Sequence, residues 1–397
     1  MIIAMYCIMP TPHLLPIAKE ISEIVEKNNF RYLYLLKNNK NRAKMGWDQD
    51  GFPDWCRQID NNDTHFEESS DALLIEVRNT ELITKRINNN KLTLYTSERW
   101  LKPPFGILRV FNPSHFKYIK SFTRFLNNSN FEYLADGVYA VKDMVRLKEL
   151  FSGKIKSFFK SPVIAFEPKP LGSVFSLEQA LEDGLIAEED IPLAKRDGFI
   201  RINEEKWGKS TPKGYYSRIK IWGYFVADSK NNTISKECLL PKKVLWIGRM
   251  ERWKRVATII KACKMLSLEL HIFGHGQDEQ KLKRIAKGNG KITFHDFVKY
   301  ENVRQLMREF DTYVLSSDEY EGWGAVVSEA LTENMVVLAS KESGAGATLL
   351  CKDCLFRSGD YKQLAHVLSQ RHERGEIREW AVRKAATRLY DYINERI

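Results

Sequence analysis

The feature that most constrains the fold of this 397-residue chain is a regular alternation of strand and helix patterns that begins at Lys243. Short apolar runs typical of buried strands alternate with longer segments whose apolar residues recur at helical spacing. The strand runs are VLWIG, LELHIFG, KITFHDF, TYVLSS and VVLAS, and the helix runs between them are VATIIKACKML, DEQKLKRIA, NVRQLMREF and AVVSEALTEN. This order predicts a parallel sheet with right-handed crossovers, whose ligands bind beyond the carboxyl ends of the strands.

The first half of the chain carries a similar but less regular pattern. Its strand-like runs are MIIAMYCI, RYLYLL, DALLIEV, KLTLYTSE, YLADGVYAV and SPVIAFEP, and LLPIAKEISEIVEK is a helix-like run. Because 397 residues exceed one typical core, we predict an α/β protein with two Rossmann-like, doubly wound parallel-sheet domains and a crevice between them. The expected division is 1–168 for the first domain, 169–240 for a less regular segment and interdomain linker, 241–375 for the second domain, and 376–397 for a C-terminal helix returning to the first.

The apolar runs, the N-terminal segment and the cysteines argue against membrane-spanning, secreted and zinc-binding proteins. No apolar run approaches the roughly 18 to 20 residues that span a bilayer. The N-terminus, MIIAMYCIMPTPHLLPIAKE, lacks a basic n-region and a cleavage site, so it predicts a buried first strand and a cytoplasmic protein. Of six cysteines, Cys351 and Cys354 form a Cys-x-x-Cys pair, and no second pair completes a zinc set. We expect free thiols and no metal ion.

The net charge is the strongest compositional signal. The chain has a formal charge of +11, and the segment from Arg99 to Lys160 holds twelve Lys and Arg but only four Asp and Glu, with aromatic residues between them. An excess of this size attracts an anionic partner, which leaves nucleic acid, a membrane surface or a phosphorylated substrate open.

The residues that follow the predicted strands of the second domain are suited to binding a phosphorylated ligand. Arg249 and Lys254 follow VLWIG, at the turn into a helix. Basic side chains beside a helix N-terminus favour a diphosphate, because they add to the free N–H groups and the positive end of the helix dipole. Gly274 and Gly276 follow LELHIFG and either let the backbone approach a ligand or only form a strand-to-helix turn.

Two carboxylates follow the fourth strand, in EYEGWGAVVSEAL. Glu321 precedes the glycine turn, and Glu329 lies about two helical turns further on. Carboxylate oxygens accept hydrogen bonds from hydroxyl groups, so this spacing suits the two sugars of one extended ligand. An isolated pair at this spacing is more often a helix-start carboxylate and a solvent-facing residue. Arg249 and Lys254 at the neighbouring strand end favour the binding site.

Taken together, these segments resemble the donor-binding domain of the GT-B glycosyltransferases, in particular the retaining glycosyltransferase family 4 (group 1). The resemblance covers residues 243 to about 360 and rests on ordered motifs: VLWIGRMERWK, LELHIFGHGQ, ITFHDFV, EYEGWGAVVSEAL, VVLASKESGAG and LFRSGDYKQLAHVL. It implies a GT-B fold, with an acceptor-side first domain and a nucleotide-sugar donor-binding second domain.

The resemblance also implies roles for individual residues. Arg249 and Lys254 match the family's basic pair on the donor diphosphate. Glu321 matches the glutamate near the donor sugar, and Glu329 matches the one that holds the ribose. The further matching positions are those where main-chain groups meet the sugar, phosphates or base, namely Trp323, Gly324, Ala325, Gly274, Phe297 and Val298.

Other properties implied by the resemblance concern the cofactor and the reaction. Members need no metal ion and no cofactor, and the donor substrate is a nucleotide sugar such as a UDP- or GDP-sugar. The configuration at the anomeric carbon is retained by a front-face reaction in which the leaving diphosphate helps to deprotonate the acceptor. The first domain departs from the family pattern, because MPTPH stands where relatives carry a glycine-rich turn. Of His13, His65 and His115, we favour His115 as the residue near the acceptor.

The basic aromatic region has two interpretations. SHFKYIKSFTRFLNN and KIKSFFKS form either a plain surface helix with a core face or a peripheral anchor whose aromatics enter a lipid interface while its lysines meet anionic headgroups. The second interpretation predicts contact with the inner face of the plasma membrane.

We therefore expect a hexosyltransferase-type enzyme that moves a sugar from a nucleotide-sugar donor to a glycan acceptor, lipid-linked, in cell-surface polysaccharide biosynthesis. A GT-B sugar-nucleotide epimerase or phosphorylase is the alternative within the fold. A basic nucleic-acid-binding protein is the alternative from another class, but no helix-turn-helix, RNP or zinc-finger pattern supports it, and no nucleic-acid partner is expected.

Overall fold

A computed structural model describes residues 1–25, 29–35, 53, 55–59, 70–229 and 235–397. Within these residues the chain forms two compact units. One contains the described residues up to Gly223 together with Val382–Ile397, and the other contains Tyr224–Ala381.

The first unit is built on a largely parallel sheet. Its strands are β1 (Ile3–Cys7), β2 (Phe30–Tyr34), β3 (Cys56–Gln58), β4 (Ala72–Ile75), β5 (Leu92–Ser97), β6 (Phe131–Asp136), β7 (Ile164–Phe166), β8 (Gly172–Ser176), β9 (Phe199–Arg201) and β10 (Ile219–Trp222). They lie in the order β3-β2-β1-β4-β5-β6-β10-β8-β7-β9. Neighbours from β3 to β10 pair in parallel, whereas β8 is antiparallel to both β10 and β7. Residues 169–223, which the sequence marks as less regular, therefore contribute three strands to this sheet.

The helices of the first unit follow the strands along the chain. They are α1 (Leu15–Ile24), α2 (Thr80–Asn88), α3 (Pro113–Phe125), α4 (Val138–Phe151), α5 (Lys156–Phe159), α6 (Leu177–Glu182) and α7 (Ile191–Asp197). A short 3-10 helix, Gly106–Phe111, precedes α3 and packs against it.

The second unit contains a six-stranded parallel sheet among its described residues. The strands are β12 (Lys243–Ile247), β13 (Glu269–Phe273), β14 (Ile292–His295), β15 (Thr312–Leu315), β16 (Val336–Ser340) and β17 (Leu355–Phe356). Their order is β14-β13-β12-β15-β16-β17, with parallel pairing throughout. A separate antiparallel pair joins β11 (Cys238–Leu239) to β18 (His372–Glu373).

The helices of the second unit agree closely with the sequence pattern. They are α8 (Val256–Leu266), α9 (Glu279–Ala286), α10 (Tyr300–Met307), α11 (Ala325–Thr332), α12 (Gly344–Leu349) and α13 (Tyr361–Leu368). Helix α8 illustrates the reason, because Val256, Ile259, Ile260 and Cys263 recur at helical spacing and are all buried in the core beside β12. The predicted fold class, an α/β chain with two parallel-sheet, Rossmann-like domains, is confirmed.

Two elements differ from the sequence-based expectation. The run YLADGVYAV was predicted to be a strand, but β6 ends at Asp136 and α4 begins at Val138. Gly137, with φ of +89°, ends the extended segment and caps the helix. The pattern misleads because α4 buries residues almost all round, so it has no polar face to show a helical period.

The predicted C-terminal helix over 376–397 is divided. Residues Arg378–Trp380 form a 3-10 turn, and α14 (Val382–Asn394) follows and packs against α1 of the first unit. No helix among the described residues is long and apolar enough to cross a membrane.

Candidate functional site

The strand order of the second unit places β12 and β15 side by side at the centre of the sheet. The chain proceeds from β12 to β13 and β14 on one side, and from β15 to β16 and β17 on the other. Loops that leave two such strands in opposite directions open a space at their carboxyl ends, which is where ligands bind in open parallel sheets. The loop after β12 carries Arg249 and Lys254, and the loop after β15 carries Glu321.

Lys254 and Glu321 form an ion pair in this space. The distance from Lys254 Nζ to Glu321 Oε2 is 2.5 Å, and Ser317 Oγ donates a hydrogen bond to the same oxygen at 2.7 Å. The two charged side chains are only 15% and 11% exposed. Lys254 Nζ also lies 4.3 Å from the centre of the Trp253 ring. An ammonium group has three N–H donors, so a paired Lys254 can still donate to an anionic ligand.

Hydrogen bonds tie the two loops together and fix the position of Lys254. The main-chain N–H of Asp318 donates to the carbonyl of Trp253 at 2.8 Å, and Ser316 Oγ donates to the carbonyl of Lys254 at 2.8 Å. Arg255 donates from Nε to Asp318 Oδ2 at 3.0 Å. The basic residue and the carboxylate are therefore held by a rigid connection between β12 and β15.

The glycine turn after Glu321 leads directly into a helix. Gly324 has φ of +94°, and a side chain there would place Cβ 2.8 Å from Leu315 Cδ2. Helix α11 begins at Ala325, so its first N–H groups lack partners within the helix. The Trp323 side chain is buried and donates from Nε1 to Ser328 Oγ at 3.1 Å. The Trp323 carbonyl accepts a hydrogen bond from the Ala345 N–H at 2.8 Å, so a contact between Trp323 and a ligand would involve its main-chain N–H, and this stays a prediction.

Glu329 is a buried carboxylate on α11, with only 3% of the residue exposed. Burial raises its pKa to about 7, against the opposing effect of the Arg304 charge. Tyr300 is close enough that the Glu329 charge adds to burial in raising the pKa of the tyrosine hydroxyl. A buried acceptor of this kind can take hydrogen bonds from ligand hydroxyls.

The other predicted residues of this unit differ in their exposure. Arg249 is exposed just after β12. Phe297 is 50% exposed and Val298 is half-buried, both in the segment after β14. All three lie beyond the carboxyl ends of their strands, on the same edge of the sheet as Lys254.

Gly274 has a packing role that the sequence did not reveal. Its φ is +114°, and a Cβ atom there would lie 2.3 Å from the carbonyl oxygen of Gly248. Gly276 is similarly close to Met250, at 2.5 Å. The loops after β12 and β13 therefore touch each other, which favours the turn interpretation of these glycines.

Two of the histidine candidates, His115 and His13, lie in the described part of the first unit. His115 is half-buried on α3, and its Nδ1 is 3.4 Å from Ser114 Oγ. His13 is half-buried just before α1. His65 lies outside the described residues.

Sequence reasoning missed Tyr313, on β15. Its ring is buried, and its hydroxyl has no hydrogen-bond partner within the described part of the chain. Burial raises the pKa of this hydroxyl, and the nearby charges of Glu321 and Glu329 raise it further. Tyr313 thus places an unused O–H donor near both carboxylates. The strand pattern TYVLSS shows a buried tyrosine but not its neighbours.

Within the residues that the structure describes, no group of three or more His, Cys, Asp or Glu side chains is arranged to hold a metal ion. The Cys351 and Cys354 sulfur atoms are 3.2 Å apart as free thiols.

Comparison with protein families matches the second half of the chain. Residues 231–387 match the family described as "Glycosyl transferases group 1". The chain is also similar to an uncharacterized glycosyltransferase of Methanocaldococcus jannaschii, with 24% identity over 219 residues. That alignment covers 52% of this chain and 50% of the archaeal protein, so the chain spans about half the length of this relative. The predicted enzyme class, glycosyltransferase, is confirmed at the level of this domain.

Comparison with solved structures covers the whole chain. HepE of Anabaena, solved in complex with UDP, has a TM-score of 0.53 at 11% identity, over 100% of this chain and 97% of that one. A glycosyltransferase from Rickettsia africae has a TM-score of 0.50 at 10% identity, over 100% and 98%. At this identity the likeness concerns the fold alone, and it identifies the fold as GT-B.

Proposed function

We propose that the protein is a retaining glycosyltransferase that transfers a sugar from a nucleotide-sugar donor to a glycan acceptor. The observation that carries the proposal is the buried Lys254–Glu321 pair at the switch point of the parallel sheet, beside the start of α11. A cation, a carboxylate and free helix N–H groups at one point match the phosphates and hydroxyls of a sugar diphosphate.

Each residue has a defined role in this proposal. Lys254 and the exposed Arg249 bind the diphosphate and stabilise the negative charge that grows on it as the sugar leaves. The N–H groups of Gly324 and Ala325 add to this stabilisation. Glu321 accepts hydrogen bonds from the donor sugar, and Glu329 accepts them from the ribose.

The contacts of the base and the identity of the nucleotide are also part of the proposal. Main-chain groups near Phe297 and Val298 bind the base. UDP or GDP is the expected nucleotide, and the complex of HepE with UDP-glucose supports a nucleotide sugar as donor for this fold. No metal ion is required, because the basic side chains and the helix N-terminus supply the positive charge.

The acceptor is proposed to be a lipid-linked glycan in the synthesis of a surface polysaccharide, at the inner face of the plasma membrane. The basic and aromatic region between Arg99 and Lys160 supports contact with an anionic membrane. His115, which lies in this region, is proposed to face the acceptor.

The rival functions make different demands. A phosphorylase or an epimerase of this fold needs further acid, base or lysine groups, which no motif supplies. A nucleic-acid-binding protein requires no buried carboxylates such as Glu329 at the sheet edge. A sugar nucleotide has hydroxyl groups that such carboxylates can bind, which favours the glycosyltransferase.

Thermal stabilisation by nucleotides tests the proposal. A ligand that binds only the folded protein raises the melting temperature, so UDP or GDP and their sugars should do so. Lys254→Ala should remove this stabilisation and reduce transfer by about a hundredfold or more, since it removes a charge-assisted contact worth ~3 kcal/mol. Lys264→Ala is the matched control, because Lys264 lies in the last turn of α8, at the opposite edge of the sheet. Stabilisation by duplex DNA but by no nucleotide would refute the proposal.

A further inference from the structure

An apolar groove lies on the surface of the first unit. It has a volume of about 700 Å³ and lies between the 3-10 helix Gly106–Phe111, α3, α4 and α5. Its lining is apolar throughout and consists of Val110, Phe111, Pro113, Phe116, Leu150, Phe151, Ile155, Phe158 and Phe159. The aromatic content of this region was visible in the sequence, but the groove is formed by segments up to 49 positions apart.

The rim of this groove exposes large apolar side chains to solvent. Phe111 is 69% exposed, Ile155 is 71% exposed and Phe159 is 78% exposed. Phe105 and Leu108, at the start and in the middle of the 3-10 helix that ends at Phe111, are also exposed. A contiguous exposed apolar surface of this kind is typical of a site that binds a protein, a membrane or an apolar ligand.

The fold holds these side chains outward by specific bonds. Arg146 donates from Nε to the carbonyl of Ser157 at 2.9 Å and from Nη2 to the carbonyl of Phe158. Ser157 Oγ in turn donates to Glu149 Oε2 at 2.7 Å. The ring centre of Phe158 lies 5.9 Å from that of Phe111, which joins α5 to the 3-10 helix. Because α5 is anchored on both sides, Ile155 and Phe159 at its ends remain at the surface.

Lysines surround the exposed apolar residues. Lys154, Lys156 and Lys160 alternate with Ile155 and the two phenylalanines, and all three are exposed. They also line a neighbouring polar cavity of about 420 Å³. Glu149 and Glu178 lie in that cavity, and Glu149 is 3.9 Å from Lys154. On the α3 side, Lys117 and Lys120 are exposed.

We infer that this groove and its lysines form a docking face for an anionic lipid bilayer. Aromatic and aliphatic side chains enter the boundary between headgroups and acyl chains, while lysines at the same depth contact phosphate. A second copy of the chain is a poor occupant, because face-to-face contact would oppose the lysines of one copy to those of the other. The inference deepens the proposed function, since a lipid-linked acceptor would be presented at such a bilayer.

Sedimentation with vesicles tests the inference without requiring transfer activity. The full chain should bind phosphatidylcholine vesicles that contain phosphatidylglycerol, bind pure phosphatidylcholine at least about tenfold more weakly, and be released by high salt. The double variant Ile155→Ser, Phe159→Ser should bind at least about tenfold more weakly, because two large apolar groups are lost. Met265→Ser is the matched apolar control, since Met265 is 64% exposed in the second unit.

A second set of variants examines the charge. Replacing Lys154, Lys156 and Lys160 by Glu should abolish the preference for phosphatidylglycerol, whereas Lys195→Glu, an exposed control on α7, should not. Circular dichroism and nucleotide stabilisation should be unchanged in every variant, which separates lost docking from lost folding.

Several outcomes would overturn the inference. They are equal binding to neutral and anionic vesicles, undiminished binding by the Ile155→Ser, Phe159→Ser variant, or a dimer in solution that this variant dissociates. Failure to bind vesicles would leave nucleotide stabilisation unaffected, so it would refute the docking face without refuting the glycosyltransferase.

Discussion

Replacing Glu329 by Gln should stabilise the protein at alkaline pH while weakening nucleotide binding. Burial raises the pKa of Glu329 from its ordinary value of 4.5 to about 7. One pKa unit corresponds to about 1.4 kcal/mol, so the charged carboxylate costs ~3 kcal/mol of folding free energy when it is fully ionised. The side chain is 3% exposed, so solvent does little to reduce this cost.

The pH window follows from the direction of the shift. Below pH 4.5 the carboxyl group is protonated in both the folded and unfolded chain, so it carries no penalty. As the pH rises from 4.5 to about 7, the unfolded chain loses this proton while the folded chain keeps it, so stability falls over this range and levels off above it. The gain from Glu329→Gln should therefore be near zero at low pH and reach ~3 kcal/mol above pH 8.

Urea denaturation followed by tryptophan fluorescence, from pH 4.5 to 8.5, measures this gain. Glu333→Gln is the control, because Glu333 lies one helical turn from Glu329 and its pKa is shifted in the opposite direction. Burial raises the pKa of Glu333, but the hydrogen bond from Arg308 and the charge of Arg304 outweigh it, so the pKa is lowered. The ionised Glu333 carboxylate therefore stabilises the folded chain at pH values above the ordinary pKa of glutamate. This contribution is lost as the pH falls through the lowered pKa of Glu333 in the folded chain. At neutral pH, Glu333→Gln should therefore cost about 1–3 kcal/mol of folding free energy.

The binding measurement completes the test. A neutral amide is a weaker acceptor for ribose hydroxyls than a carboxylate, so Glu329→Gln should weaken UDP or GDP binding about tenfold. The reasoning would be refuted by a stability gain that is the same at pH 5 and pH 8, or by a loss of stability at pH 8. An equal gain would mean that ionisation of Glu329 carries no folding penalty, and a loss at pH 8 would mean that the fold stabilises the Glu329 charge.

Two further predictions concern the glycine turn and the thiols. Gly324→Ala should destabilise the protein by about 1–3 kcal/mol, since it adds a Cβ 2.8 Å from Leu315 to the strain of a positive φ. Gly359→Ala, with φ of +83° and open space around it, should show only the strain, and equal losses in urea denaturation would contradict the packing argument. The hydrogen bond between the Cys351 and Cys354 thiols lowers the pKa of Cys351 to about 6, so Cys351 should react with iodoacetamide at pH 7 several times faster than the exposed Cys238. Mass spectrometry after brief alkylation measures this, and equal rates would exclude an activated thiol.

The sequence was most informative where structure depends on neighbours along the chain. The bounds of α8 were predicted to the residue, because its buried face recurs at helical spacing. The pattern was weakest at α4, where the burial of Val138, Ala140 and Val141 hides the period. Residues 169–223 were hard to interpret for another reason. Their short strands gain their stability from pairing with distant parts of the sheet.

The candidate site shows the same division. Residue types at the strand ends, including Arg249, Lys254 and Glu321, could be selected from the sequence because parallel strands all end at one edge. The ribose role of Glu329 and the acceptor role of His115 came from family resemblance, and they stay predictions. The packing of Gly274 against Gly248 could not be predicted, because the sequence gives no information on the distance between glycines in two separate loops.

The sequence by itself determined the order of strands and helices in the second unit and the chemistry of the residues between them, because both depend on local periodicity and residue type. Only the tertiary structure decided that β15 lies beside β12, which brings Lys254 within 2.5 Å of Glu321 across 67 positions of chain. It also decided that the Tyr313 hydroxyl lies near two carboxylates. Such contacts depend on strand pairing over long separations, which periodicity along the chain does not record.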